Sequence, residues 1–145
     1  MPIMTTRDVV TELLTRIAGG DPARIAELYA EDCDWKLSWP ETEHGRPATP
    51  WIRHRSTRAG IAAHYGELGA HHVPEAVDTR IERVLVDGDD AVVLGEIRQT
   101  ARPTGVAYRA RFALHLTVEH GLVTRQHIYE DSLAVARAFG GEQAG

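Results

Sequence analysis

Residues 108–118 read YRARFALHLTV, residues 119–121 EHG, and residues 122–140 LVTRQHIYEDSLAVARAFG. In the first run Tyr108, Ala110, Phe112, Leu114 and Leu116 alternate with Arg109, Arg111, Ala113, His115 and Thr117. That period of two belongs to a strand, whose successive side chains point to opposite faces. The glycine-containing EHG turn and the strand-like run LVTRQHIYE complete an antiparallel hairpin. Asp131 follows at once, where the N-cap of a short closing helix belongs.

Working upstream, VDTRIERVLV (77–86) turns at Asp87-Gly88-Asp89 into AVVLGEIRQTA (91–101), which turns at Arg102-Pro103-Thr104-Gly105 into the quoted strand. Three hairpins in series make an antiparallel meander. If the Pro103-Thr104 turn sets the register, Glu96 lies beside Arg111 and Val92 near His115. One face of the sheet is then apolar, and the other mixes apolar groups with Glu, Arg and His.

The first third is helical. Thr5 or Thr6 caps a helix whose Val9, Val10, Leu13, Leu14 and Ile17 share one face. Gly19-Gly20 stops it; Asp21 caps a second helix with Pro22 at its first position and Ile25, Leu28 and Tyr29 on its buried side. CDWKLSWP (33–40) reads as a short strand, and residues 41–54 as a loop of about 14 residues, long enough to be a lid or binding loop. Ser56 or Thr57 opens a third helix with Ile61, Tyr65 and Leu68 on one side, and GGEQAG (140–145) reads as a frayed tail. The expected fold class is α+β: a cone-shaped, curved antiparallel sheet wrapped by N-terminal helices, one domain over residues 1–145.

With 43% apolar and 26% charged residues the chain has the composition of a folded soluble domain. A net charge of -5 without any basic run argues against nucleic acid as a partner. The lone Cys33 excludes an internal disulfide and a cysteine zinc site. Eight histidines raise the question of a metal, but none has HExxH spacing. With no signal pattern and no apolar run near the ~18 residues needed to span a bilayer, the expected location is the cytoplasm, with no membrane partner.

Three segments carry a resemblance: AGGDPARIAELYAEDCDW (18–35), TRAGIAAHYGEL (57–68) and RPTGVAYRARFALHLTVEHGLVTRQHIYEDSLAVARAF (102–139). Together they make the chain resemble the SnoaL-like, ketosteroid-isomerase-related group of the nuclear transport factor 2-like superfamily, a cystatin-like roll. The resemblance implies a pocket inside the cone, a homodimer and no cofactor. It leaves the chemistry open, since this cone hosts isomerases, polyketide cyclases, dehydratases, epoxide hydrolases and non-catalytic binders. A ketosteroid isomerase's tyrosine and two aspartates would fall near Leu13, Leu37 and Ala113, all apolar here. SnoaL-type cyclases pair a histidine on the penultimate strand with an aspartate near the end of the last, which points to His115 and Asp131.

The candidate proton-transfer groups are therefore His115, Asp131, Glu96 and Glu130. Histidine changes charge near neutral pH and a carboxylate in an apolar setting can be tuned toward it. Three have a plainer reading: His115 as a histidine on a solvated or dimer-facing side of the sheet, Asp131 as a helix cap, Glu96 as one half of a cross-strand ion pair on an exposed face. Arg111 is a candidate oxyanion partner, and Tyr29, Trp35, Trp39, Trp51, Tyr65 and Tyr129 a candidate aromatic wall for substrate, most of which could equally be ordinary core. The expected function is a cofactor-independent acid–base enzyme acting on a hydrophobic small molecule, polyketide-cyclase-like or isomerase-like. An epoxide-opening cyclase or epoxide hydrolase is the first alternative; a binding or dimerisation module using the apolar row 108–116 is the second.

Overall fold

The computed structural model describes residues 4–36, 57–72 and 78–138. Helix α1 (Thr6–Gly19) starts with a capping box: Thr5 Oγ1 accepts from the Asp8 N–H at 3.1 Å, and Asp8 Oδ2 accepts from the Thr5 N–H at 3.0 Å. Gly20 ends the helix at φ 80°, a left-handed conformation that costs glycine nothing. Asp21 caps the short α2 (Pro22–Ala26), and Thr57 caps α3 (Arg58–His71) by accepting from the Gly60 N–H.

Five strands follow the expected meander with one addition. They are β1 (Tyr29–Lys36), β2 (Arg80–Asp87), β3 (Asp90–Thr100), β4 (Ala107–Glu119) and β5 (Leu122–Glu130), in the sheet order β1-β5-β4-β3-β2. The pairs β2–β3, β3–β4 and β4–β5 are antiparallel, and β1 joins the far edge parallel to β5. Glu96 stands opposite Arg111 and Val92 opposite His115, the register that the turn length implies. Helix α4 (Ser132–Ala138) closes the chain against β4.

The first strand corrects the sequence reading. The spacing of Ile25, Leu28 and Tyr29 predicts a longer second helix, yet α2 stops at Ala26 and Tyr29 begins β1. Along β1 the buried residues Tyr29, Cys33 and Trp35 are separated by exposed acidic ones, and the Val123 N–H donates to Leu28 O at 2.8 Å. Pairing with β5 satisfies this backbone and overrides the local helical pattern. Residues 37–40, the 41–54 loop, Ser56 and the tail, and with them Trp39 and Trp51, lie outside the described residues.

The helices cover one face of the sheet. Val9, Val10 and Leu13 of α1, Ile25 of α2 and Ile61 of α3 pack with Val93, Leu114, Leu116, Val118 and Val123, and Phe112 and Ile128 extend the cluster. A second, smaller cluster joins Ala110 and Val135 to Leu68, Ile97 and Tyr108 under α4. The row 108–116, an alternative interface on sequence grounds, is thus core. Gly95 is fixed by space: a Cβ there would sit 2.3 Å from Arg80 O and 2.9 Å from the Phe112 ring, at the bulge between Ile81 and Arg83.

Candidate functional site

Alternation sorts the candidate residues onto two faces. Glu130 pairs with Phe112 and therefore shares the helix-covered side, as does Gln126 opposite Leu116. His115, Arg111 and Glu96 lie on the other parity and face away from the helices. Asp131, exposed, accepts from the Ala134 N–H at 3.1 Å and caps α4; Tyr129 is 59% exposed on the outer side. The structure brings together Tyr29, Trp35 and Tyr65 inside, sets Glu130 on the same side of the sheet, and leaves His115, Glu96, Arg111, Asp131 and Tyr129 outside that layer.

The inner face carries two polar groups in an apolar floor. At one end, Tyr29 Oη donates to Gln126 Oε1, and its oxygen lies 3.0 Å from Tyr65 Oη. Tyr65 also hydrogen-bonds Gln126, so the two phenols and the amide share one buried polar cluster. Burial pushes both phenols above the ordinary tyrosine range, so both are neutral donors. Trp35 and His64 meet edge to face at 4.9 Å, and His64 and Tyr65 at 5.0 Å. The Trp35 Nε1–H is buried without a hydrogen-bond partner among the described residues.

At the other end is Glu130. Desolvation, with a smaller contribution from the neighbouring Asp131 charge, raises its pKa to about 7. Ile128 lies between Gln126 and Glu130 on the same face, so the two ends stand about 13 Å apart along β5. Beyond Glu130, Tyr108 Oη bonds His72 Nε2 at 2.6 Å and Gln99 Oε1 at 2.8 Å, and His72 Nδ1 bonds Leu68 O at 2.7 Å. Burial, then the charge of Glu130, raises the Tyr108 pKa far above the tyrosine range.

The outer face is an ion-pair surface. His115 Nε2 lies 2.9 Å from Asp90 Oδ1, which also accepts from Thr117 Oγ1 at 2.7 Å. The Thr117 and His115 bonds, in that order, hold the Asp90 carboxyl below its ordinary value. His127, the cross-strand partner of His115, stands 3.0 Å from Asp34 Oδ2. Glu96 accepts from Arg98 Nε at 2.6 Å, and that bond keeps it ionised below the usual range. A carboxylate so held is a poor proton carrier near neutral pH.

Sequence reasoning missed His64, His72, Tyr108, Gln99 and Gln126. Part of the signal was present: Ile61, His64, Tyr65, Leu68 and His72 follow helical spacing, and Gln126 shares the parity of Ile128 and Glu130. A polar residue in an apolar row reads as a defect until its partner is known.

This architecture, a curved open sheet with helices on one face and ionisable groups between the layers, is that of the nuclear transport factor 2-like fold. A family model, the SnoaL-like domain, matches residues 10–126, and the chain belongs to that family. No curated protein matches the sequence. Among solved structures, a nuclear transport factor 2-like protein from Burkholderia thailandensis superposes with TM-score 0.77 at 20% identity, covering 94% of this chain and 98% of that one. A protein from Rhodopseudomonas palustris with a provisional isomerase assignment gives TM-score 0.74 at 17% identity, covering 91% and 96%. TerC, co-crystallised with polyporic acid, gives 0.74 at 16% identity, covering 93% and 98%. At these identities the likeness is one of fold. No helix among the described residues is long and apolar enough to cross a membrane.

Proposed function

We propose that this chain is a cofactor-independent acid–base enzyme acting on a hydrophobic small molecule, of the polyketide-cyclase or isomerase kind. The observation that carries the reading is Glu130: a half-buried carboxyl on the helix-covered face, flanked by Phe112 and Ile128, with desolvation raising its pKa to about 7. Such a group is ready either to take a proton from carbon or to give one to oxygen, a contribution of about 10²–10⁴-fold in rate. The apolar floor would hold the substrate, and Tyr29, Tyr65 and Trp35 would line its far end. The epoxide-opening alternative draws less support, because Glu96 and Arg111, the pair that would orient water, face outward.

The test is solvent-deuterium exchange into 2-tetralone, a hydrophobic ketone with acidic C–H bonds, followed by NMR; polyporic acid, the TerC ligand, serves as a binding probe. Wild-type protein is expected to accelerate exchange and Glu130→Gln to lose at least a hundredfold of that acceleration. Loss in His115→Ala with a wild-type rate in Glu130→Gln would move the chemistry to the outer face and overturn this assignment.

A specific observation favours a homodimer through the outer face. Leu85, Val92, Leu94 and Ala113 form its centre, with Leu85 43% exposed. Arg80, Arg98, Arg109 and Arg111 outnumber Glu96 toward one end; Asp87, Asp90 and Glu119 outnumber Arg125 toward the other. A two-fold axis through the centre would set the basic end of one copy on the acidic end of its partner.

A further inference from the structure

On the outer face the strand register sets like charges opposite one another. Arg98 of β3 pairs with Arg109 of β4, and Arg80 and Arg111 flank Glu96 from either side. Cross-strand neighbours carry Cβ atoms about 5 Å apart, where two cations repel unless an anion stands between them. The nearby carboxylates are already engaged. Glu96 accepts from Arg98 Nε at 2.6 Å, while Asp78 Oδ2 lies 3.1 Å from Arg80 Nη2 and 3.8 Å from Arg98 Nη1. The exposed guanidiniums of Arg109 and Arg111 have no hydrogen-bond or ion-pair partner among the described residues. This positive cluster stands on a chain whose net charge is -5. Over the Arg98–Arg109 pair opens a cleft of about 310 Å³, which Thr100 and Ala107 also line. Those two residues are the next pair on the same face, and the single methyl group of Ala107 leaves the space unfilled.

We propose that this cleft is a binding site for a small oxyanion, a carboxylate or a phosphate group, held between Arg98 and Arg109 with the Thr100 hydroxyl as a further donor. Guanidinium is the fitting group, because its planar fork meets two oxygens of such an anion at once. Arg98 is set in advance: Glu96 holds its Nε and Asp78 stands near Nη1, so Nη2 is left for the ligand. An arginine already fixed by the protein loses little freedom on binding. Arg109 closes the site from the neighbouring strand, and Arg111 adds its charge one step further along the same face. The common field of these cations is registered at Glu96. Its bond to Arg98 first, then the charges of Arg98, Arg109 and Arg111, hold its carboxyl below the usual range. The cleft lies on the opposite side of the sheet from Glu130, so the inference does not depend on the acid–base reading of that carboxyl. A second copy docked on the outer face would bring its own carboxylates to the same arginines, so anion and second copy compete for them.

The experiment is an NMR titration of the full chain, following backbone amides and arginine Nε–H signals, with inorganic phosphate and with benzoate at constant ionic strength. Wild type is compared with Arg109→Gln, Arg109→Lys and Arg7→Gln. Expected are saturable shifts at Arg98, Thr100 and Arg109 with at least one of the two anions. Arg109→Gln should weaken binding roughly tenfold or more, the size of a lost charged hydrogen bond, with unchanged circular dichroism. Arg109→Lys keeps the charge but not the fork and should weaken it severalfold. Arg7→Gln removes the same charge from an exposed position on α1 and should bind as wild type. Tighter phosphate assigns the cleft to phosphate esters, and tighter benzoate assigns it to organic acids. Shifts that never saturate, or equal weakening in Arg109→Gln and Arg7→Gln, would reduce the effect to general charge attraction and overturn the site. Shifts at these residues that follow protein concentration and ignore added anion would give the cleft to a second copy and overturn it as well.

Discussion

Glu130 and Asp131 are adjacent in sequence and end β5 in opposite environments. Glu130 points into the layer between sheet and helices, opposite Phe112, whereas Asp131 is exposed and holds the first turn of α4 through the Ala134 N–H. The outer carboxylate organises a helix, and its charge helps keep the proton on the inner one. One residue step separates a helix cap from a desolvated carboxyl.

That difference predicts a pH signature. The folded pKa of Glu130 is about 7, above the 4.5 of an exposed glutamate, so the native state binds the extra proton. Its contribution is fully present below pH 4.5 and is lost as pH rises through 7. A rise of that size makes the loss on the order of 3 kcal/mol. Urea unfolding at pH 5 and pH 8 should show Glu130→Gln gaining stability relative to wild type at the higher pH. An equal difference between the two proteins at both values would refute the burial assigned to this carboxyl.

Asp131 should behave as a cap. Asp131→Asn keeps a side-chain acceptor and is expected to unfold with wild type, while Asp131→Ala should lose about 1 kcal/mol. Thermal unfolding of the two variants checks this; equal losses would mean that capping is not what holds Asp131 in place.

Gly95→Ala is expected to be costly because the methyl group meets backbone rather than a flexible side chain. With Arg80 O at 2.3 Å and the Phe112 ring at 2.9 Å, β2 or the ring must shift. Overpacking of this kind costs roughly 1–3 kcal/mol. Chemical denaturation measures it, and because Phe112 is the partner of Glu130, the Glu130 titration should move as well.

Trp35→Phe should be mild for a buried tryptophan. The substitution loses apolar volume but removes an indole N–H without a hydrogen-bond partner among the described residues, whose burial costs about 1–3 kcal/mol. Expected destabilisation is under about 1 kcal/mol, against roughly 3–5 for Trp35→Ala. A loss above about 2 kcal/mol in the Phe variant would show that the N–H is satisfied.

Leu94→Arg tests the outer face. If two copies meet there, the variant sets two guanidinium groups near one axis and should sediment as a monomer with unchanged circular dichroism. Identical sedimentation of both proteins would remove this face from any interface.

Much of the scaffold was legible from local chemistry. Thr5, Asp21 and Asp131 cap helices because their oxygens meet unpaired N–H groups, and the turn at Pro103-Thr104 sets Glu96 against Arg111. The start of β1 was not legible, since Ile25, Leu28 and Tyr29 satisfy helical spacing equally well. His72 and Tyr108 stand 36 positions apart, and nothing in either neighbourhood announces their bond.

The candidate site depended on a further decision. Alternation along β4 and β5 determined which residues share a face: His115 with Arg111, Glu130 with Gln126. A period of two is symmetric, however, and does not say which face the helices cover. That choice was made by the packing of Val9, Val10, Leu13 and Ile61 against Leu114 and Leu116, which turned Glu130 inward and His115 outward. The sequence by itself determined the two rows, and only the tertiary structure decided which row is desolvated, because desolvation is a property of the layer laid over a sheet and not of the strand beneath it.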